Sequence, residues 1–176
     1  MHEHVFGDES KASGFRLAAV AVAPADLPDL RRVVRELKLP GQGRLHCTRE
    51  SDGHRKQMIK AFQSAGVTGV IYDASAIRDE KTARDMTITR LADDAAAMNA
   101  DQLVLELDDS VAAADRIIIR QRLLKAGTHH TLRYHHARAR EECLLSIPDA
   151  LVWCYAKGNH WRRLVLPLIS DVIPVN

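Results

Sequence analysis

Cysteine is scarce in this sequence. Cys47, Cys143 and Cys154 are odd in number and widely spaced, and no Cys-x-x-Cys pair occurs. This pattern argues against a disulfide framework and against a zinc site built from cysteines. Reduced thiols in a cytoplasmic protein are the simplest interpretation.

Long apolar runs are also missing. No stretch approaches the ~20 residues that a helix needs to cross a bilayer. Residues 1–4 lack the basic and apolar regions of a signal peptide. The sequence therefore predicts a soluble, cytoplasmic chain without membrane contact.

Several common motifs are absent too. The chain has no GxxxxGK[ST] phosphate loop, no GxGxxG fingerprint and no HExxH helix. Aromatic residues make up only 5% of the chain, so Trp153 and Trp161 are predicted to serve packing instead of base stacking.

What the chain does contain is enough apolar material for one core. It has 176 residues, of which 46% are hydrophobic, and we predict a single domain over residues 1–176. The net charge is only +2, but residues 110–176 carry 10 Lys and Arg against 5 Asp and Glu. This excess is typical either of a polyanionic partner or of solvated helix surfaces.

The order of elements indicates an α/β fold with a mixed sheet. Three residues separate the first two strands, which predicts an antiparallel hairpin. The tail, which contains Pro167 and Pro174, is predicted to be irregular. Strands are predicted at 4–10, 14–22, 44–47, 67–73, 101–107 and 132–136, and helices at 24–38, 52–64, 79–99, 110–125 and around Asp149.

Three carboxylates stand where a charge is expensive unless it is paired or binds a metal. Asp8 lies near the end of the first strand, Glu106 closes an aliphatic strand, and Asp149 lies in a long apolar run. Turn chemistry is the alternative explanation for Asp8, and a favourable helix dipole is the alternative for Asp149. Asp109 is better explained as a helix cap.

Acids brought together in this way would repel one another unless a divalent cation neutralised them. Ligands that are all oxygen favour Mg²⁺ or Mn²⁺ over zinc. Two such ions about 4 Å apart are the usual means of activating water in phosphodiester cleavage. The three acids therefore favour phosphodiester chemistry.

Other polar residues are secondary candidates. His46, at the end of the predicted 44–47 strand, is a candidate proton carrier or a histidine bonded to backbone. A basic bank beside the acids is as plausible as a solvated face. Its members would be Arg116, Arg120, Arg133, Arg138 and Arg140.

Four short motifs in order resemble a bacterial and phage family known as domain of unknown function 3800, which itself resembles the ribonuclease H-like fold. The motifs cover residues 5–10, 44–46, 103–106 and 145–151. The resemblance implies a mixed sheet with a leading β-hairpin and flanking helices. It also implies an acid on the first strand, one on a parallel neighbour and one on a C-terminal helix, which match Asp8, Glu106 and Asp149. A fourth acid would have to come from Glu9, Asp108 or Asp73.

We therefore expect a divalent-metal-dependent phosphodiesterase, a nuclease acting on RNA or DNA, with Mg²⁺ or Mn²⁺ held by Asp8, Glu106 and Asp149. His46 would assist catalysis, and a homodimer is possible. One alternative is a catalytically inactive ribonuclease H-like binding or regulatory module. Another is a metal-dependent hydrolase of small phosphate esters.

Overall fold

A mixed β-sheet forms the centre of the structure, a computed structural model that describes residues 2–176. Met1, the first residue of the segment 1–4 that is predicted not to be a signal peptide, lies outside the described residues. Within residues 2–176 the sheet has six strands in the order β5-β4-β1-β2-β3-β6. The strands are β1 His4–Ser10, β2 Arg16–Val22, β3 Gly69–Asp73, β4 Gln102–Glu106, β5 Arg133–Ala137 and β6 Ile169–Pro174.

The first two strands form the predicted antiparallel hairpin. His4 pairs with Val22 and Ser10 with Arg16, so β1 is paired over its whole length. The turn between them contains two residues with positive φ, Ser13 at 58° and Gly14 at 100°. A Cβ on Gly14 would lie 2.7 Å from the Cβ of Ser75, so glycine is required there both for its backbone angle and for space.

On its other side, β1 pairs with β4 in parallel. Gly7 lies opposite Leu105, and a Cβ on Gly7 would come within 2.7 Å of the Leu105 side chain. The missing side chain therefore lets Leu105 pack directly over the backbone of β1. The two strands are therefore adjacent and parallel, as the family resemblance implied.

Helices cover both faces of the sheet. Ser51 caps α2 by accepting a hydrogen bond from the His54 backbone N–H, and Asp79 caps α3 in the same way through Thr82. Gly127, at φ 72°, ends α4 in the left-handed conformation. The helices of the described chain are α1 Leu27–Leu37, α2 Asp52–Ser64, α3 Glu80–Ala97, α4 Ala112–Ala126, α5 Ser146–Lys157 and α6 Asn159–Val165.

Alternation along the strands divides the interior into two cores. Phe6 and Val104 point to the core that is covered by α1, α2, α5 and α6. Leu103 and Leu105 point to the core that is covered by α3 and α4. We call these two sides the α5 face and the α3/α4 face of the sheet.

The predicted strand at residues 44–47 is wrong. This segment is a loop that leads into a 3-10 helix, Cys47–Arg49. Its backbone groups bond to side chains of α5 instead of to another strand: the Leu45 carbonyl accepts from Ser146 Oγ, and the Cys47 N–H donates to Asp149. Backbone polar groups that are satisfied in this way have no need of a sheet.

Two further predictions are corrected. The tail is not irregular, because it contains α6 and the edge strand β6. Asp109 does not cap α4: the helix begins at Ala112, its N-cap Val111 makes no side-chain cap bond, and Asp109 pairs with Arg138. Within residues 2–176, no helix is long and apolar enough to cross a membrane.

Candidate active site

Two of the predicted site acids lie side by side on the α5 face. Gly7 is paired with Leu105, so the next residues, Asp8 and Glu106, follow at the same level on adjacent parallel strands, about 4.8 Å apart along the hydrogen-bonding direction. Their side chains point to the α5 face, opposite to the side chain of Leu105. Both carboxylates therefore lie at the carboxyl end of the parallel pair.

The third acid, Asp149, reaches the same place from the first turn of α5. Its Oδ2 accepts a hydrogen bond of 2.7 Å from the backbone N–H of Cys47. Pro148 precedes it within the first turn, where the backbone N–H has no partner inside the helix. Asp149 thus connects its helix to another segment of the chain instead of capping the helix itself.

These acids line an open cavity of about 360 Å³. We call it the acidic cavity. Besides Asp8, Glu106 and Asp149, it is lined by Glu9, Ser10, Lys11, Arg44, His46, Thr48, Val152 and Trp153. Three separate elements, β1, β4 and α5, therefore supply the carboxylates of one concave site.

Burial and mutual repulsion act together on these carboxyl groups. Loss of water raises the pKa of Asp8 well above its ordinary range, and the charges of Asp149 and Glu106 raise it further. Burial also raises the pKa of Asp149, against the lowering effect of the Cys47 hydrogen bond, and that of Glu106, against the lowering effect of Arg44. A positive charge placed among the three acids would therefore stabilise their ionised forms.

Each acid already has one hydrogen-bond donor. Asp8 Oδ1 accepts from the Glu9 backbone N–H at 2.7 Å, and Glu106 Oε1 accepts from Arg44 Nη1 at 2.9 Å. Within the described chain, no three His, Cys, Asp or Glu side chains are arranged to hold an ion as they stand. The oxygen-only donor set suits Mg²⁺ or Mn²⁺ in its chemistry, but an ion bound by Glu106 would lie close to the positive charge of Arg44.

His46 lines the acidic cavity from the loop before the Cys47–Arg49 helix. Its Nδ1 is buried and has no hydrogen-bond partner within residues 2–176. The loop is held by Arg55, whose guanidinium donates to the carbonyls of Cys47 and Thr48 at 2.7 and 2.9 Å. The same guanidinium lies 4.2 Å from the centre of the Trp153 ring. The imidazole is therefore held beside the acids by a well-anchored segment.

Glu9, the neighbour of Asp8, contributes to the lining of the acidic cavity, but its carboxylate lies on the other side of the sheet. Its carboxylate pairs with Arg84, which also makes two hydrogen bonds of 2.9 and 2.7 Å to the fully buried Asp115. His136 Nε2 lies 3.2 Å from the Asp115 carboxylate. This buried network on the α3/α4 face explains Glu9 without any role in metal binding.

The other two candidates for a fourth acid are also accounted for by local partners. Asp73 accepts from Arg16 at 3.0 Å and does not line the acidic cavity. Asp108 accepts from the backbone N–H and the hydroxyl of Ser110.

The predicted basic bank is divided by the sheet. Arg116 and Arg120 are exposed on α4, which packs on the α3/α4 face. Arg133 begins β5, at the end of the sheet opposite to Glu106. Arg138 pairs with Asp109, and Arg140 lines a separate cavity together with Arg44 and His46.

Several cavity residues carry no direct signal in the sequence. Arg44 pairs with an acid 62 positions later, while Lys11 lies in the hairpin turn and Thr48 in the 3-10 helix Cys47–Arg49, both of ordinary composition. One sequence feature could have indicated this part of the site. Gly41, Gly43 and Arg44 are clustered between two helices, which marks a loop with little packing of its own.

A larger cavity, of about 410 Å³, lies at the other end of the hairpin. It is formed around Val22, α1 and the connection from α2 to β3. Its charged side chains, such as Asp29 and Arg32, are exposed and pair with each other at 2.8 Å. We therefore place the candidate site at the smaller cavity, where carboxylates are buried together.

Comparison with solved structures identifies the fold class. The chain is similar to a structure described as the PCNA:RNase HII complex from Archaeoglobus fulgidus, with a TM-score of 0.56 and 13% sequence identity. The similarity covers 92% of this chain and 76% of that chain. The protein thus has a ribonuclease H-like fold. The sequence matches no protein-family model and no curated protein.

Proposed function

We propose that this protein is a divalent-metal-dependent nuclease that cleaves phosphodiesters of RNA or DNA at the acidic cavity. The observation that carries the proposal is the convergence of Asp8, Glu106 and Asp149, from three separate elements, on one open cavity. Burying like charges close together costs free energy unless a bound cation or another partner offsets it. The structural neighbour, a ribonuclease by its name, supports the same class of reaction at the level of the fold.

In this proposal Asp8, Glu106 and Asp149 hold Mg²⁺ or Mn²⁺. The ion would supply the positive charge that lowers the pKa of water and stabilises the leaving oxygen. Lys11 and Arg44 line the cavity and would orient the phosphate through charge-assisted hydrogen bonds. His46, which lines the same cavity, would carry a proton during cleavage.

The decisive experiment is a cleavage assay with labelled single-stranded RNA, single-stranded DNA, both duplexes and the RNA–DNA hybrid, each with Mn²⁺, Mg²⁺ or EDTA. Cleavage should require the metal. Asp8→Asn and Asp149→Asn should each lower the rate by at least about 100-fold if their carboxylates hold an ion that stabilises the transition state. Asp26→Asn is the matched control, because Asp26 is an exposed acid away from the acidic cavity.

One observation favours an inactive binding module as the second candidate. Arg44 already supplies a positive charge to Glu106, as it would in a site that no longer needs a metal. Strand binding without cleavage in any of these metals would select that module. Cleavage of a small phosphate ester without cleavage of any strand would select a small-molecule hydrolase.

A further inference from the structure

A second open cavity, of about 330 Å³, adjoins the acidic cavity. Arg44 and His46 line both cavities and form the boundary between them. Arg49 and Arg140 line the second cavity from separate parts of the chain. We call it the arginine cavity, because three of its seven lining residues are arginines.

The positive charge of this cavity is only partly compensated. Within residues 2–176 the side chains of Arg49 and Arg140 make no hydrogen bond or ion pair to another residue, and Arg44 is paired with Glu106 outside the cavity. Glu50 is the one acid among the lining residues. Its carboxylate accepts from Gln42 at 3.0 Å and lies 2.6 Å from His54 Nδ1, so it is already satisfied.

Arg49 and Arg140 are exposed and have no acidic partner among the described residues, so they leave positive charge at the cavity that an anion can neutralise. Their planar forks match the oxygens of a phosphate, which can accept several charge-assisted hydrogen bonds at once. The cavity lacks aromatic side chains other than His46, so its chemistry favours the phosphate of a nucleotide over the base.

We propose that Arg49 and Arg140, with Arg44, form a phosphate-binding subsite that holds a phosphate of the substrate strand next to the one in the acidic cavity. The inference rests on the proposed function for its substrate class. Because Arg44 and His46 belong to both cavities, a strand in the acidic cavity passes them before it reaches Arg49 and Arg140. The subsite would thus fix which phosphodiester faces the acids.

The test measures binding without turnover. A short fluorescent single strand is titrated in EDTA over a series of salt concentrations with the wild type and with the Arg49→Ala/Arg140→Ala double variant. Affinity should fall about tenfold, which is typical when charge-assisted hydrogen bonds are removed. The slope of log affinity against log salt should become shallower by about 0.7 for each phosphate that the variant no longer neutralises.

The matched control is the Arg116→Ala/Arg120→Ala double variant. It removes the same charge from exposed positions on α4, on the other face of the sheet. Its affinity and salt slope should stay close to those of the wild type. Equal reductions in both double variants, or no strand binding by the wild type, would overturn the subsite. Melting temperatures of all variants confirm that they are folded.

Strands with a 5′-phosphate, a 3′-phosphate or hydroxyl ends distinguish an internal phosphate from a terminal one. If a terminal phosphate increases affinity, and only when Arg49 and Arg140 are present, the subsite binds strand ends. If the arginines contribute equally to all three strands, it binds an internal phosphate.

The same variants separate this inference from the proposed function. One result would be cleavage that requires both the metal and Asp8, while removal of both arginines changes neither cleavage nor binding. That result would reject the subsite and support the nuclease. Arginine-dependent binding without any cleavage would keep the subsite and reject the nuclease.

Discussion

Arg44 Nη1 lies 2.9 Å from Glu106 Oε1, so the acid at the end of β4 has a positively charged partner. The two residues are 62 positions apart in the chain. A metal ion and Arg44 would therefore compete for the same carboxylate, and this competition can be measured.

Replacing Arg44 with Met should lower the stability of the metal-free protein by up to about 1 kcal/mol, because a partly exposed ion pair contributes little. The stabilisation by Mn²⁺ should increase in this variant, since the ion no longer meets the positive charge of Arg44 beside Glu106. Thermal melts with and without Mn²⁺ measure both effects. A smaller metal-induced shift than in the wild type would show that Arg44 does not compete with the ion.

Asp149→Asn tests whether the third acid belongs to a metal site. The amide oxygen can still accept from the Cys47 N–H, and one repelling charge is removed, so the stability of the metal-free protein should rise or stay unchanged. Stabilisation by Mn²⁺, which for the wild type would reach about 2.7 kcal/mol at a hundred times the dissociation constant, should disappear. An unaltered metal-induced shift would remove Asp149 from the site.

Asp8→Asn should change how stability depends on pH. The folded-state pKa of Asp8 is raised, so its ionisation costs stability; the cost is absent below the unfolded-state pKa of about 3.9 and grows as pH rises toward the folded-state value. Asn does not ionise. In EDTA, the free energy of unfolding of the variant minus that of the wild type should therefore increase as pH rises from about 4.

Urea titrations across that pH range measure the difference. Asp26→Asn, at an exposed position, should show a nearly constant difference from the wild type. A constant difference for Asp8→Asn as well would mean that the carboxyl has an ordinary pKa in the folded protein.

Arg84→Met tests the buried network on the α3/α4 face. Asp115 would keep a fully buried carboxylate without its main partner, which should cost about 3–5 kcal/mol. The metal-induced shift should remain, because the network lies on the other side of the sheet from the acidic cavity. Urea denaturation measures the cost, and melts with Mn²⁺ measure the shift.

The control for Arg84 is Arg122→Met. Arg122 makes two hydrogen bonds of 2.7 Å to Asp93, but this pair is partly exposed, so its removal should cost less than about 1 kcal/mol. Similar costs for the two variants would contradict the importance of burial for the Arg84 network.

Much of the fold was predictable because strand alternation and turn length act locally. The three residues between Ser10 and Gly14 allowed only a hairpin, and the aliphatic run before Glu106 marked β4. Residues 44–47 were mistaken for a strand because their hydrogen-bond partners, Ser146 and Asp149, are about a hundred positions away. No local pattern encodes such partners.

The tail was misjudged for a different reason. Pro167 and Pro174 suggested irregular structure, yet Pro167 lies in the first turn of a 3-10 helix and Pro174 ends the edge strand β6. Neither place requires a backbone N–H donor. The effect of a proline depends on its position within an element, which sequence alone did not show.

For the candidate site, the acids were predictable and their surroundings were not. Asp8, Glu106 and Asp149 attracted attention as charges among apolar residues. Arg49 and Arg140 had no such contrast, because they lie in a short 3-10 helix and a turn and are brought together only by the folded chain. The arginine cavity could therefore be recognised only in three dimensions.

Asp8 and Glu9 are neighbours in the chain but belong to different charged assemblies on opposite faces of the sheet. If β1 moved by one residue against β2 and β4, the longer Glu9 side chain would enter the acidic cavity and Asp8 would face Arg84. The turn at Ser13 and Gly14 sets that register. A change in the length of a solvent-exposed hairpin turn would thus exchange the two acids and disable both assemblies without altering any residue of either one.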